Sequence, residues 1–362
     1  MWAIKDMLMK QKLFTVGPVE MYPTTLKVGG EQLPYFRTQE FSDLVLGCER
    51  SILSLADAPQ DSRAIFLAAS GTGAMEAAVI NSLTSSDRAL IVVGGSFGER
   101  FCEICDDAEI PYDAIRLDPG TSLNPAILKS YDLGSYKALL VNAHETSTGV
   151  LYDIPRLGEV CRKYGLLFIV DAISAFLCDA LSMKSMGIDM LITSSQKALA
   201  LAPGLSIIVL SARAINIIEQ AHVHSHYFGL KKYLLDGTRG QTPFTPAVGV
   251  LLQLSDRLRS LEKLGTYALV EQSAARANYF RNLVKDLPYK FFADHPSNAL
   301  TALSPQNGHS AYDIYEILKD KYGFVVTPNG GKLKDIVFRV GHMGNITYED
   351  LNALAVAIKE IV

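Results

Sequence analysis

Between residues 63 and 210, short apolar runs alternate with segments of helical period, and this alternation constrains the fold more than any other feature of the chain. The runs at 63–69, 88–94, 137–143, 166–171, 190–193 and 205–210 read as strands. The segments 74–83, 97–107, 155–164 and 212–221 between them read as helices. Such alternation predicts a mostly parallel sheet wrapped by helices, because parallel strands need long crossovers that usually coil. The run ending at Asp171 is apolar throughout, as burial on both faces requires.

Beyond Pro243 the texture changes to long amphipathic helices over 247–263 and 267–285. A strand at 299–303, a helix at 311–322, a strand at 335–340 and a helix at 348–361 then predict a compact α+β unit. The expected division lies near residue 255: a large unit over 14–255 and a smaller one over 256–362, with residues 1–13 a candidate to pack on the smaller one. At 362 residues, 49% of them hydrophobic, the chain can fill two such cores. With a formal charge of −4 and no basic stripe, it lacks the footprint of a nucleic-acid binder. No apolar run is long enough to span a bilayer, and the first ten residues mix charges among apolar side chains unlike a signal peptide, so a cytoplasmic address is expected. Five scattered cysteines, an odd number, argue against a disulfide framework. Cys102 and Cys105 form one C-x-x-C on a predicted helix, but no second pair completes a zinc site.

Two residues carry the strongest chemical signal. Lys197 follows the strand at 190–193 in a turn of small and apolar residues, 26 positions after Asp171. A lysine in such surroundings can lose its proton and form a Schiff base, and an aspartate at a strand end can pair with a pyridinium nitrogen. Together they suggest pyridoxal phosphate.

Other strand ends add to this. Ser70-Gly71-Thr72-Gly73-Ala74 opens a helix, so its amides can converge on an anion, although a tight turn with a hydroxyl cap explains the same residues. Phe97, between glycines at the next helix start, could stack on a planar ring or serve as an ordinary core phenylalanine. Asn142 to Gly149 brings hydroxyls and an acid to the same edge, or satisfies its own backbone. Polar or glycine-rich tips on successive strands are expected where an α/β sheet binds its ligand.

The run Glu145-Thr146-Ser147-Thr148-Gly149-Val150, the strand end Val170-Asp171-Ala172 and the turn Ser195-Gln196-Lys197-Ala198, closed by Pro203-Gly204, resemble the class V aminotransferases of pyridoxal-phosphate fold type I. The nearest likeness is to 2-aminoethylphosphonate:pyruvate and alanine or serine:glyoxylate transaminases. It extends from Thr15-Val16-Gly17-Pro18-Val19 to Phe338-Arg339-Val340-Gly341-His342. The resemblance implies that Lys197 carries the cofactor and that Asp171 pairs with its ring nitrogen. It further implies that Phe97 stacks on one ring face, Ile173 packs on the other, and Thr146 bonds the ring oxygen. Thr72, Gly73, Ala74 and Gln196 fall at phosphate-binding positions, and Thr245 resembles a residue that reaches the phosphate of a neighbouring subunit, which implies a homodimer. Arg339 matches an arginine that grips the substrate carboxylate, and substrate choice is expected to rest on it and on the segments around Gly17 and Arg37.

Val16 and Ala143-His144 depart from that pattern, which bears on substrate more than on cofactor. His222, His224 and His226 alternate as metal ligands on a strand could, but a loop near the cleft fits better because no nearby acid completes a set. The expected activity is transfer of an amino group to a 2-oxo acid such as pyruvate, with 2-aminoethylphosphonate as first choice of donor and alanine or serine with glyoxylate as the alternative. A lyase of the cysteine-desulfurase kind is disfavoured, since Gln196 precedes the lysine and no cysteine follows Cys178. A non-catalytic role is disfavoured because both chemical residues are intact.

Overall fold

Seven strands form the principal sheet: β1 (Arg63–Leu67), β2 (Ala89–Val93), β3 (Tyr112–Arg116), β4 (Ala138–Asn142), β5 (Leu167–Asp171), β6 (Met190–Ser194) and β7 (Ser206–Leu210). They belong to a computed structural model that describes residues 11–306 and 308–361. The order across the sheet is β1-β7-β6-β5-β4-β2-β3. Strands β2 to β6 pair in parallel, while β7 runs antiparallel to both β1 and β6. Six of the seven match the apolar runs; β3, an edge strand with charged residues among its five, has no such run to mark it.

Strands β4, β5 and β6 are buried along their whole length, and their side chains alternate between the two faces of the sheet. Leu139, Val141, Phe168 and Val170 enter one layer, whereas Ala138, Leu140, Leu167 and Ile169 enter the other. The helices expected at 74–83 and 97–107 are α2 (Gly71–Ile80) and α3 (Ser96–Asp107), preceded by α1 (Gln39–Leu55), which the sequence pattern does not announce. Those at 155–164 and 212–221 are Ile154–Tyr164 and Ala212–Gln220. Because β2, β4, β5 and β6 run the same way, the turns after them open on one edge.

The two long helices expected after residue 246 form one element, α4 (Val248–Val284), broken at Gly265. Its φ of +76° is a conformation that glycine adopts without strain. Leu251, Leu258 and Leu269 of α4 pack in the first core, whereas Phe280 and Val284 pack in a second. A division near residue 255 therefore falls inside this helix, upstream of its passage between cores. The second core is built on an antiparallel sheet of β8 (Tyr289–Phe291), β9 (Leu300–Pro305), β10 (Thr327–Pro328) and β11 (Phe338–Gly341), in the order β8-β9-β11-β10. Helices α5 (Ala311–Tyr322) and α6 (Tyr348–Glu360) cover it. Lys12 and Leu13 pair with Phe324 and Val325, and Phe14 is buried in this same core; residues 1–10 lie outside the described residues. Among the described residues, no helix is long and apolar enough to cross a membrane.

Candidate active site

Lys197 sits in the turn after β6, with 8% of its surface exposed. Its ammonium donates to the carbonyl of Val16 at 2.6 Å. Gly17 makes this approach possible: a Cβ there would stand 2.7 Å from Lys197 Cδ, and its φ is +131°. Burial, reinforced by the nearby Arg339 and opposed by Asp171, lowers the Lys197 pKa to about 8. The amine is thus close to its nucleophilic form at neutral pH.

Asp171 ends β5, buried, with Asn142 of β4 directly opposite. One carboxylate oxygen accepts from the Ile173 amide at 2.9 Å and the other from Asn142 Nδ2 at 2.7 Å. Among the described residues no cationic side chain lies within ion-pair distance of it. Burial pushes its pKa up to about 6, against those two hydrogen bonds. The side-chain oxygen of Asn142 is itself buried without a partner.

The turn before α2 is capped by Ser70, whose hydroxyl accepts from the Gly73 amide at 3.4 Å. Thr72 accepts from Arg100 Nη1 at 3.1 Å, and the same guanidinium lies 4.9 Å from the Phe97 ring centroid. Arg100 therefore joins the start of α2 to the aromatic. Ile173 backs that helix start so closely that a Cβ on Gly71 would come 2.4 Å from its Cδ1. Ala74 is fully buried, and its amide donates to the Ser70 carbonyl at 3.3 Å. Gln196 accepts from Ser194 Oγ at 2.5 Å.

The Glu145 turn ties these pieces together. Its carboxylate, fully buried, accepts from the amides of Phe97 at 3.3 Å, Gly98 at 3.0 Å and Ser147 at 3.2 Å, and from the Ser147 hydroxyl at 2.5 Å. It supplies the acidic cap that Gly95 cannot give α3. Next in the chain, the Thr146 carbonyl accepts from Arg339 Nη1 at 2.9 Å, while the Pro328 carbonyl accepts from Nη2 at 2.6 Å. Arg339 Nε is buried without a partner, and burial lowers the Arg339 pKa to about 10, with Glu145 opposing. Thr146 Oγ1 lies 2.7 Å from Ser174 Oγ, which lies 2.9 Å from His144 Nδ1. Burial, with Lys197 second, lowers the His144 pKa to about 3, which leaves the ring neutral at pH 7.

The fold thus gathers Gly17, Thr72, Gly73, Phe97, Thr146, Asp171, Ile173, Gln196, Lys197 and Arg339 around the carboxyl edge of the sheet. Two expected residues stand apart. Arg37 is exposed and donates to Gln241 Oε1 at 3.0 Å and the Thr242 carbonyl at 2.9 Å, which fastens the opening segment to the stretch that leads to Thr245. Thr245 is exposed as well. His222, His224 and His226 lie on an irregular segment, where His224 packs edge-on against His222 and His226 against Phe244. Sequence alone does not single out Arg100, Asn142 or Ser174; only Asn142 has a usable signal, since aligning β4 with β5 places it across from Asp171.

The family model described as Aminotransferase class-V matches residues 32–341. A protein named soluble hydrogenase, small subunit, from Synechococcus sp. is 30% identical over 98% of this chain and 93% of its own length. An alanine–glyoxylate aminotransferase from Oryctolagus cuniculus is 28% identical over 95% of this chain and 90% of its own. Among solved structures, an aspartate aminotransferase of subgroup IV from Thermus thermophilus superposes with a TM-score of 0.89 at 25% identity, covering 96% of this chain and 98% of that one.

Proposed function

This chain belongs to the class V aminotransferase family, and from that premise we propose that it moves the amino group of a small amino acid to a 2-oxo acid such as glyoxylate or pyruvate, with pyridoxal 5'-phosphate as its cofactor. The observation that carries the reading is a pair of buried, oppositely charged groups, each left without an ion-pair partner: Lys197, bonded to a carbonyl, and Asp171, bonded to two neutral donors. An aldehyde on a basic aromatic ring with a phosphate arm meets both needs. Thr72, Gly73, Ala74, Gln196 and Arg100 would hold its phosphate at the start of α2, Phe97 and Ile173 would flank its ring, and Thr146 would meet the ring oxygen. When bound, such a group supplies an electron sink for the electrons released at the amino acid's Cα.

The chain's own residues then divide the work. Asp171, ionised, would keep a proton on the ring nitrogen. Lys197 Nζ, with its pKa near 8, is the base placed to take the proton from the amino acid's Cα. Arg339 presents a guanidinium anchored by two carbonyls, and its free Nε is a donor for a carboxylate. Gly17 and Val16 keep Lys197 in place from the opposite side. Exposure of both Arg37 and Thr245 supports a homodimer in which these residues complete the partner's site, and the cytoplasm remains the proposed location.

For the donor, the small amino acid takes precedence over 2-aminoethylphosphonate: relatives aligned along nearly the whole chain are named for alanine and glyoxylate. A half-reaction screen tests this. Alanine, serine, aspartate and 2-aminoethylphosphonate are each mixed with the yellow protein, and alanine or serine is expected to bleach it fastest. Bleaching by the phosphonate alone would sink the proposed donor while leaving the family intact. Arg339→Ala is expected to raise KM for the amino acid about 10- to 100-fold, the value of one charged hydrogen-bonding group. Cofactor absorbance should survive; its loss would give Arg339 a different task.

A further inference from the structure

A cavity of about 200 Å³ adjoins the Lys197 turn at Ala198. Four parts of the fold meet there: Tyr22 of the opening segment, Cys178 after β5, both limbs of α4 around its break, and Gly344 after β11. The limbs contribute Arg257 and Arg276, one on each side of Gly265. Arg257 stacks 3.9 Å from the Tyr22 ring centroid, and its Nε is buried with no partner. Arg276 donates Nη1 to the Gly344 carbonyl at 2.9 Å. Among the described residues neither guanidinium lies within ion-pair distance of a carboxylate, and Asp256 is the carboxylate whose charge favours Arg257. Burial depresses the Arg257 pKa, Tyr22 opposes it by charge and a hydrogen bond, and Arg276 adds a smaller depression, so the two cations repel across this space. Ser273 and Gln272, also on the wall, add a hydroxyl and an amide.

Two guanidiniums facing one roomy cavity, one with an idle buried donor, form a receptor for negative charge. We propose that this cavity binds a small oxyanion, a phosphate or a carboxylate, bridged between Arg257 and Arg276. The bound anion ties the two limbs of α4 to each other and to the Lys197 and Gly344 turns, so the site acts on the join between the two cores. It is independent of the amino-acid site at Arg339.

Thermal unfolding of the purified holoprotein, titrated separately with inorganic phosphate and with malonate, tests the site and its ligand class. The expected result is a saturable rise in Tm with at least one of them, about 2 °C at roughly ten times the Kd. Arg257→Gln and Arg276→Gln should each abolish the rise, and Arg339→Lys should keep it. Ser273→Asp places a carboxylate in the cavity; it should raise Tm in anion-free buffer and remove the response to added anion, which tests the idea even if an arginine variant folds poorly. A Tm unmoved by both anions, or a rise that persists in both arginine variants, overturns the proposal.

Discussion

Replacing Lys197 with alanine should lower the rate of amino transfer by about 10⁴-fold or more, the upper range of what a positioned proton-transfer group supplies. The residue is buried, held by one carbonyl, and poised near pH 8, so no neighbour can assume its place. His144, whose charge couples to Lys197, bonds Ser174 through Nδ1 and is fully enclosed. Single-turnover bleaching by alanine measures the step directly, and a variant within tenfold of the natural protein would remove Lys197 from the mechanism. The same depressed pKa predicts how the apoprotein takes up pyridoxal phosphate. Because the neutral amine is the nucleophile, uptake should climb about tenfold per pH unit below about 8 and level off above it.

Asp171→Asn should act in opposite directions on activity and on stability. Losing one member of a buried ion pair costs about 3 to 5 kcal/mol, so kcat should fall by about 10² to 10⁴. In the apoprotein, however, the carboxylate has no counter-ion, and its folded pKa of about 6 stands above the unfolded value of 3.8. The folded state therefore takes up the proton first as pH falls. Relative to the unfolded chain, the ionised group costs roughly 3 kcal/mol above pH 6, and that penalty fades as pH falls from 6 toward 3.8. Asparagine removes the charge and keeps the shape, and Asn142, whose side-chain oxygen now lacks a partner, can turn to accept from it. The apoprotein carrying Asp171→Asn should therefore melt no lower than the natural one at pH 8 and show a flatter profile between pH 4 and 6. A lower Tm at pH 8 would contradict the burial penalty.

Much of this arrangement is legible in the sequence because fully buried strands leave uninterrupted apolar runs and their ends are punctuated by glycine and polar residues. Strands β4 to β6, and with them Asp171 and the Lys197 turn, are visible for that reason. Strand β3 is not: on an edge, Tyr112 to Arg116 need only one buried residue, Ile115, and the pattern that marks a strand disappears. Helix α1 also escapes, although Thr38 caps it, because small and polar residues such as Ser42, Ser51 and Glu49 share its buried face. The links that shape the site are long-range in sequence: Arg339 to Thr146 and Lys197 to Val16 span separations that no local pattern encodes.

Glu145 has a consequence for how such a protein can diversify. Its carboxylate fixes the backbone beneath Phe97, and the next carbonyl fixes Arg339, so the residue proposed to stack on the ring and the one proposed to grip the substrate share one anchor. A change in that turn would disturb both at once. Pro328, the other anchor of Arg339, lies on the smaller sheet, away from Phe97 and its helix start. New substrate ranges are accordingly most accessible through β10 and its loop, where the grip can drift while the chemistry stays constant.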